Sequence, residues 1–320
     1  MSEFRTTIKL GESPIKISHQ KPIFLIGSCF SESIGYKLLD SYFSATLNPF
    51  GILFNPLSIA ASLERLLSKR EFEVKELFKY QDLWISWMHH GRFDDSDLER
   101  GLDYMNSSFY DGVAGLESAE TLIITWGSSY AYFLTKNTDT PQLVANCHKL
   151  PASYFIRKRI EIEEIVTTYA DLLAEMWKTN PNLKVILTVS PIRHLRDGLH
   201  ENQLSKAILL LAAEELCKMF PKQFSYFPSY EIMMDDLRDY RFYRKDMLHP
   251  SSTAVDYVWD LFSKTYFTEE TLQIAKDCSQ LTFMLEHDAL HSNTEASRKF
   301  EQAKIDKRKE LKKQYPYLNL

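Results

Sequence analysis

The feature that most constrains this chain is the run Ile23-Phe24-Leu25-Ile26-Gly27, closed by Gly-Ser-Cys and followed at once by an amphipathic stretch from Ser31 to Leu39. It has no polar residue in alternation. A strand of that kind must be covered on both faces, which is the condition of a parallel strand with helical crossovers. Thr121 to Trp126 and Lys184 to Val189 repeat the pattern. Helical patterns lie between them. Pro56 to Leu67 is opened by Asn55 as N-cap, with Pro56 at the first helical position. Arg159 to Lys178 carries a buried stripe of Ile160, Ile162, Ile165, Tyr169, Leu172, Leu173 and Met176. Asn202 to Phe220 and Thr253 to Phe267 complete the set. Alternating strands and helices predict an α/β protein with a parallel sheet covered on both faces.

At 320 residues the chain can hold two average domains or one large α/β domain with insertions. The segment from about 70 to 117 breaks the rhythm. It is rich in aromatic and charged residues, and is expected to be a helical or irregular insertion beside the active face. The expected division is a domain over 1–290 and a charged C-terminal helix over 291–320, a mixed-sign run of the solvated kind.

Hydrophobic content of 44% and charged content of 25% are those of a globular protein. A net charge of −5 offers no general basic field, so no nucleic-acid partner is expected. No apolar window reaches membrane-spanning length and the start is unlike a signal peptide, which leads to the expectation of a cytoplasmic protein with no membrane partner. Cys29, Cys147, Cys217 and Cys278 form no C-x-x-C pair, so neither a metal site nor a disulfide framework is expected. His89 and His90 are adjacent, would face opposite ways on a strand, and are assigned no metal.

Glycine is scarce, ten in the chain, and two of the ten, Gly27 and Gly127, end apolar strands. Either the chain turns sharply there or a ligand approaches the strand ends closely. Cys29 would sit at a helix N-terminus, where the helix dipole lowers a thiol pKa. Ser28 is the competing nucleophile and needs a neighbouring base. Far downstream, Asp246-Met247-Leu248-His249-Pro250 places a carboxylate and an imidazole three residues apart. An Asp on one imidazole nitrogen leaves the other free to act as a base. Gly127-Ser128-Ser129 would put small hydroxyls at a strand end, where a donor to an oxyanion could sit. In Ser190-Pro191-Ile192-Arg193-His194, Arg193 either holds a substrate anion or pairs with a surface acid. Asn146-Cys147-His148-Lys149 lacks metal-ligand spacing and suits substrate contact.

Ile26-Gly27-Ser28-Cys29-Phe30-Ser31 resembles the signature of the GSCFA-domain family, with Ser31 in place of the final Ala. The resemblance extends over Asn48-Pro49-Phe50-Gly51 with Asn55-Pro56, His90-Gly91-Arg92-Phe93, Asn146-Cys147-His148-Lys149, Thr188 to His194 and Asp246 to Pro250, about residues 20 to 260. It implies the SGNH/GDSL hydrolase superfamily and a flavodoxin-like three-layer α/β/α sandwich. It implies Asp246 and His249 as the catalytic pair and Gly51 as an N–H donor of the oxyanion hole, and it places Ser129 near the position of the superfamily's third-block asparagine. Aligned on Gly27, Cys29 falls where that superfamily has serine. The function this implies is a hydrolase or acyltransferase working on an acyl ester, such as an acylated carbohydrate, through an acyl-enzyme and without a cofactor. The alternatives are a degenerate module that binds a glycan or acyl ligand, and a redox-sensing thiol at Cys29.

Overall fold

The computed structural model describes residues 5–136, 138–287, 294–318 and 320. Its strands in chain order are β1 (Ile23–Gly27), β2 (Ala45–Leu47), β3 (Leu77–Tyr80), β4 (Leu83–Ser86), β5 (Thr121–Trp126), β6 (Tyr130–Leu134), β7 (Gln142–Val144), β8 (Phe155–Arg159), β9 (Lys184–Val189) and β10 (Phe224–Phe227). The three strands expected from apolar runs have the expected ends. The helices are α1 (Cys29–Asp40), α2 (Pro56–Ser68), α3 (Leu98–Ser118), α4 (Ile162–Thr179), α5 (Leu199–Met219), the single turn α6 (Ser229–Glu231), α7 (Ser252–Tyr266), α8 (Glu269–Glu286) and α9 (Glu295–Gln314).

The central sheet has the order β10-β9-β5-β1-β2, and each neighbouring pair is parallel. Counting only these strands, the order is 2-1-3-4-5, the flavodoxin-like winding. Its direction of winding reverses between β1 and β5, and ligands of such sheets bind outside the carboxyl ends at that point. Gly27 and Gly127 both lie there.

Successive side chains of the central strands enter opposite layers. Phe24, Ile26, Leu122, Ile124, Val185 and Leu187 pack with residues of α2, α3, α4 and α5. Ile23, Leu25, Ile123 and Ile186 pack with α1, α7 and α8 on the other face. This is the three-layer sandwich. A buried chain of hydrogen bonds runs from Trp126 Nε1 to Tyr169 Oη at 2.8 Å and from Tyr169 Oη to the Pro56 carbonyl at 3.1 Å. It ties β5, α4 and α2 together.

Two smaller sheets were not foreseen from the sequence. β3 and β4 form an antiparallel hairpin, and β7-β6-β8 an antiparallel sheet. The segment expected as an insertion from 70 to 117 therefore divides. Its first part carries the hairpin, while α3 is a helix of the sandwich itself. Arg65 of α2 fixes the entry to the hairpin by a bidentate pair with Glu76, Nη1–Oε1 2.6 Å and Nη2–Oε2 2.7 Å, over the face of Phe72. The expected domain boundary at 290/291 lies outside the described residues. α9 follows it as a helix, with Leu311 buried.

Candidate active site

The turn after β1 is built by Gly27, whose φ of 144° and close neighbours exclude a side chain. A Cβ there would lie 2.2 Å from the Thr125 carbonyl oxygen. Ser28 then caps α1: its Oγ accepts from the Phe30 N–H at 3.3 Å, and its N–H donates to Thr125 O at 3.1 Å. Its side chain is buried. Cys29 is the first helical residue and remains partly accessible. Its N–H belongs to the first turn of a helix, where donors have no partner in the helix itself. Asn48 stands beside this turn. Its Oδ1 accepts the Gly27 N–H at 2.9 Å, while its buried Nδ2 has no partner among the described residues.

The Asp246/His249 loop reaches the β9 exit loop through Arg193 N–H and Leu248 O at 3.5 Å. Asp246 Oδ2 lies 2.6 Å from His249 Nδ1. Its Oδ1 accepts the backbone N–H groups of Leu248 and His249 at 2.9 and 3.0 Å. These bonds, led by that of the His249 N–H, hold the Asp246 carboxyl down to about 2. The carboxylate is thus ionised and fixes Nδ1 as the protonated nitrogen, which leaves Nε2 as a base.

Two buried groups at this edge were missed from the sequence. Lys206 of α5 is 1% exposed, and its Nζ donates to the carbonyls of Gly127 and Ser190, both at 2.7 Å. Burial brings its pKa down to about 7, opposed by the nearby Cys29 and Glu231. His194 has Nε2 buried without a partner among the described residues. Burial, then the charges of Lys206 and His249, bring its pKa down to about 3, so it is neutral at ordinary pH. An apolar helix stripe leaves no mark of an inward lysine, but a His at a strand exit could have been flagged. Gly127 makes room for this cluster: a Cβ there would meet Phe54 O at 3.1 Å and His194 Nε2 at 3.4 Å.

With this geometry in hand, the sequence profile of the GSCFA family matches residues 22–262. The chain belongs to the GSCFA family. No curated protein matches it. Among solved structures it is similar to a crystal structure of an acetyl esterase mutant with acetate ion, at 11% identity and TM-score 0.27 over 50% of this chain and 60% of that one. It is also similar to a Clostridium thermocellum family 3 carbohydrate esterase, at 11% and 0.30 over 81% of this chain and 100% of that one. A third is an acetyl xylan esterase (Est2A) from the rumen bacterium Butyrivibrio proteoclasticus, at 12% and 0.32 over 78% and 65%. The chain thus spans less than two thirds of the first and third of these.

Several expectations for this GSCFA chain are corrected by the geometry. The Cys29 thiol pKa is raised rather than lowered: burial and Glu32 outweigh the helix N–H groups and Arg244. Gly51 N–H is spent on Asn48 O at 2.8 Å, so it does not line an oxyanion hole. Ser129 is fully buried, donating its N–H and Oγ to Ser205 Oγ of α5 at 2.8 and 3.1 Å. Gly127 N–H donates to Phe54 O at 2.8 Å and is likewise no free donor. His148 is held away from substrate, with Nε2 on Ser86 O at 2.8 Å and Nδ1 on Asp94 at 3.1 Å. Arg193 forms no ion pair among the described residues and instead lies by Tyr230 and Tyr243, its Nε buried without a partner. Asn146 braces the His148 N–H through Oδ1 at 2.9 Å and also lines a cavity of about 630 Å³.

Proposed function

We propose that the chain is an acyl-ester hydrolase or acyltransferase of the SGNH kind with Cys29 as nucleophile. The observation that carries this is the Asp246–His249 pair, in which an ionised carboxylate fixes one imidazole nitrogen and frees the other. Between the two candidate nucleophiles, Ser28 Oγ is sealed and committed as a helix cap, whereas Cys29 is accessible. Its thiol rests protonated, so it requires the base.

In this reaction His249 Nε2 takes the Cys29 Sγ–H proton as Sγ bonds the ester carbonyl carbon. The resulting oxyanion is received by the Cys29 N–H and the free Asn48 Nδ2. Collapse breaks the ester C–O bond, and the alcohol leaves with the proton from His249. Water or a second alcohol then gives its proton to His249, attacks the thioester, and releases Cys29. A small acylated molecule such as an acylated carbohydrate fits this scheme. The further role proposed for Asn48 takes the place of the donors lost at Gly51 and Ser129.

The test is turnover of p-nitrophenyl acetate and an acyl-thioester. Cys29→Ala should abolish it. His249→Ala should lower it by about 10²–10⁴-fold, and Asn48→Leu by about 10²–10³-fold. Unchanged turnover in His249→Ala refutes the mechanism. The engaged Gly51 and Ser129 donors favour one other reading, a fold that holds an acyl or glycan ligand without cleaving it. Ligand affinity without turnover over an ester panel would select that reading.

A further inference from the structure

The antiparallel sheet β7-β6-β8 is an addition to the five-stranded core, and it walls the cavity of about 630 Å³ at the carboxyl edge of β5. The cavity reaches the catalytic edge through Ser128 and His194. Its wall follows from strand register. Tyr132 pairs with Arg157 across β6 and β8, so Tyr130, Tyr132, Phe155 and Arg157 share one face. The alternate residue Ile156 faces outward and is exposed.

The character of this face is cationic in a chain of net charge −5. The Arg157 guanidinium lies 3.6 Å over the Tyr130 ring, and that of Arg196 lies 5.7 Å over Tyr132 and donates to its Oη at 2.9 Å. Arg196 spends only Nη1 on that bond, and a guanidinium edge matches the two oxygens of a carboxylate or phosphate. Lys149 adds an ammonium to the rim. Arg196 and Lys149 form no ion pair among the described residues. None of the described lining residues is acidic. Glu201, an acid beside the wall, is occupied by Tyr130 Oη at 2.6 Å and Arg159 Nη1 at 3.0 Å. Cys147 also lines the cavity, and burial pushes its thiol up to about 11.

We propose that this cavity is an anion subsite. It binds a carboxylate or phosphate group of the substrate, carried on a short chain or ring that lies against Phe54 and Phe155. The assignment of that ligand as the ester substrate rests on the acyl-transfer reading above, while the binding itself does not. An ester of an anionic small molecule is thereby preferred over a neutral one.

Titration calorimetry on the full chain tests it, with inorganic phosphate and with succinate as probes in a buffer of low ionic strength. At least one probe should saturate one site per chain, and which one binds distinguishes phosphate from carboxylate recognition. Arg196→Gln and Lys149→Gln should each weaken that binding about 10-fold, the loss of one charge-assisted contact. Raising the salt should weaken it as well. His249→Ala should bind the probe as the unsubstituted chain does, so that loss of catalysis and loss of the subsite are read separately. Absence of saturation by both probes overturns the proposal. So does unchanged binding in Arg196→Gln and Lys149→Gln, or loss of binding in His249→Ala.

Discussion

Lys206→Met should change how the stability of this protein depends on pH. The lysine is buried beneath the catalytic edge, and its pKa falls from an ordinary 10.5 to about 7. Below pH 7 it is charged in both the folded and unfolded chain, and folding bears the whole cost of burying the charge. That cost is lost as pH rises from about 7 to 10.5, because the unfolded chain then binds more protons than the folded one and stability increases with pH. At about 1.4 kcal/mol for each tenfold change in proton affinity, the full cost is about 5 kcal/mol. Between pH 7 and 9 about 2 kcal/mol of it should disappear. Methionine keeps the stem and has no titration. It leaves the Gly127 and Ser190 carbonyls without the ammonium, a loss that does not vary with pH.

Urea unfolding of the native chain and Lys206→Met at pH 7, 8 and 9 measures this. Cysteines and tyrosines also titrate in that range, so the informative quantity is the difference between the two proteins at each pH. Native stability should gain about 2 kcal/mol on the variant from pH 7 to 9. Parallel curves would show that the ammonium titrates normally, and would refute the argument that its burial is uncompensated. The sign of the difference at pH 7 is a separate result, set by charge burial against the two lost hydrogen bonds.

Two further substitutions test the turn that carries Cys29. Ser31 is buried with Oγ unpartnered among the described residues, against a small void lined by Phe30, Ile34, Ile123 and Phe262. Ser31→Ala should therefore stabilise by about 1 kcal/mol in urea unfolding, and a loss of stability would mean that the hydroxyl has a partner. Gly27→Ala drives a Cβ to 2.2 Å from the Thr125 carbonyl at a φ of 144°. It should cost about 3 kcal/mol or more, and a melting temperature within about 2 °C of the native chain would contradict the described turn.

The large architecture was legible because burial on two faces leaves an unmistakable composition. Ile23–Gly27, Thr121–Trp126 and Lys184–Val189 are short, largely apolar runs buried almost throughout. β2 and β10 were not recognised. β2 has three residues, all half-buried, and the half-buried Ser225 and Tyr226 interrupt β10, so edge strands show neither a full apolar run nor a clean alternation. The β6–β8 sheet was hidden for a different reason. β8 alternates between solvent and a polar, aromatic cavity, and in β6 Tyr130 and Tyr132 face that cavity while Ala131 and Phe133 pack on the core, so neither strand shows an apolar face opposite a polar one.

The site was legible in its parts and less so in their duties. Short-range chemistry carried through: Asp246 and His249, three apart, do bond, because a loop of that length can close on itself. Duties that depend on long-range competition did not. A helix N-terminus favours a thiolate at Cys29, yet burial against the core and the charge of Glu32 outweigh it. The resemblance offers Gly51 and Ser129 as oxyanion donors, but Asn48 O, three residues before Gly51 in the same motif, and Ser205 Oγ, on α5 and outside every motif, take their N–H groups. A donor is available to substrate only when nothing in the fold has already taken it. By that criterion Asn48 Nδ2 is a free amide beside the Gly27 turn among the described residues, and the accessible candidate nucleophile is Cys29 rather than the serine before it. The role proposed for Asn48 stands or falls in Asn48→Leu. If its loss of turnover on a Cys29-dependent substrate is absent, the oxyanion must be held by groups other than the turn that Gly27 and Asn48 build.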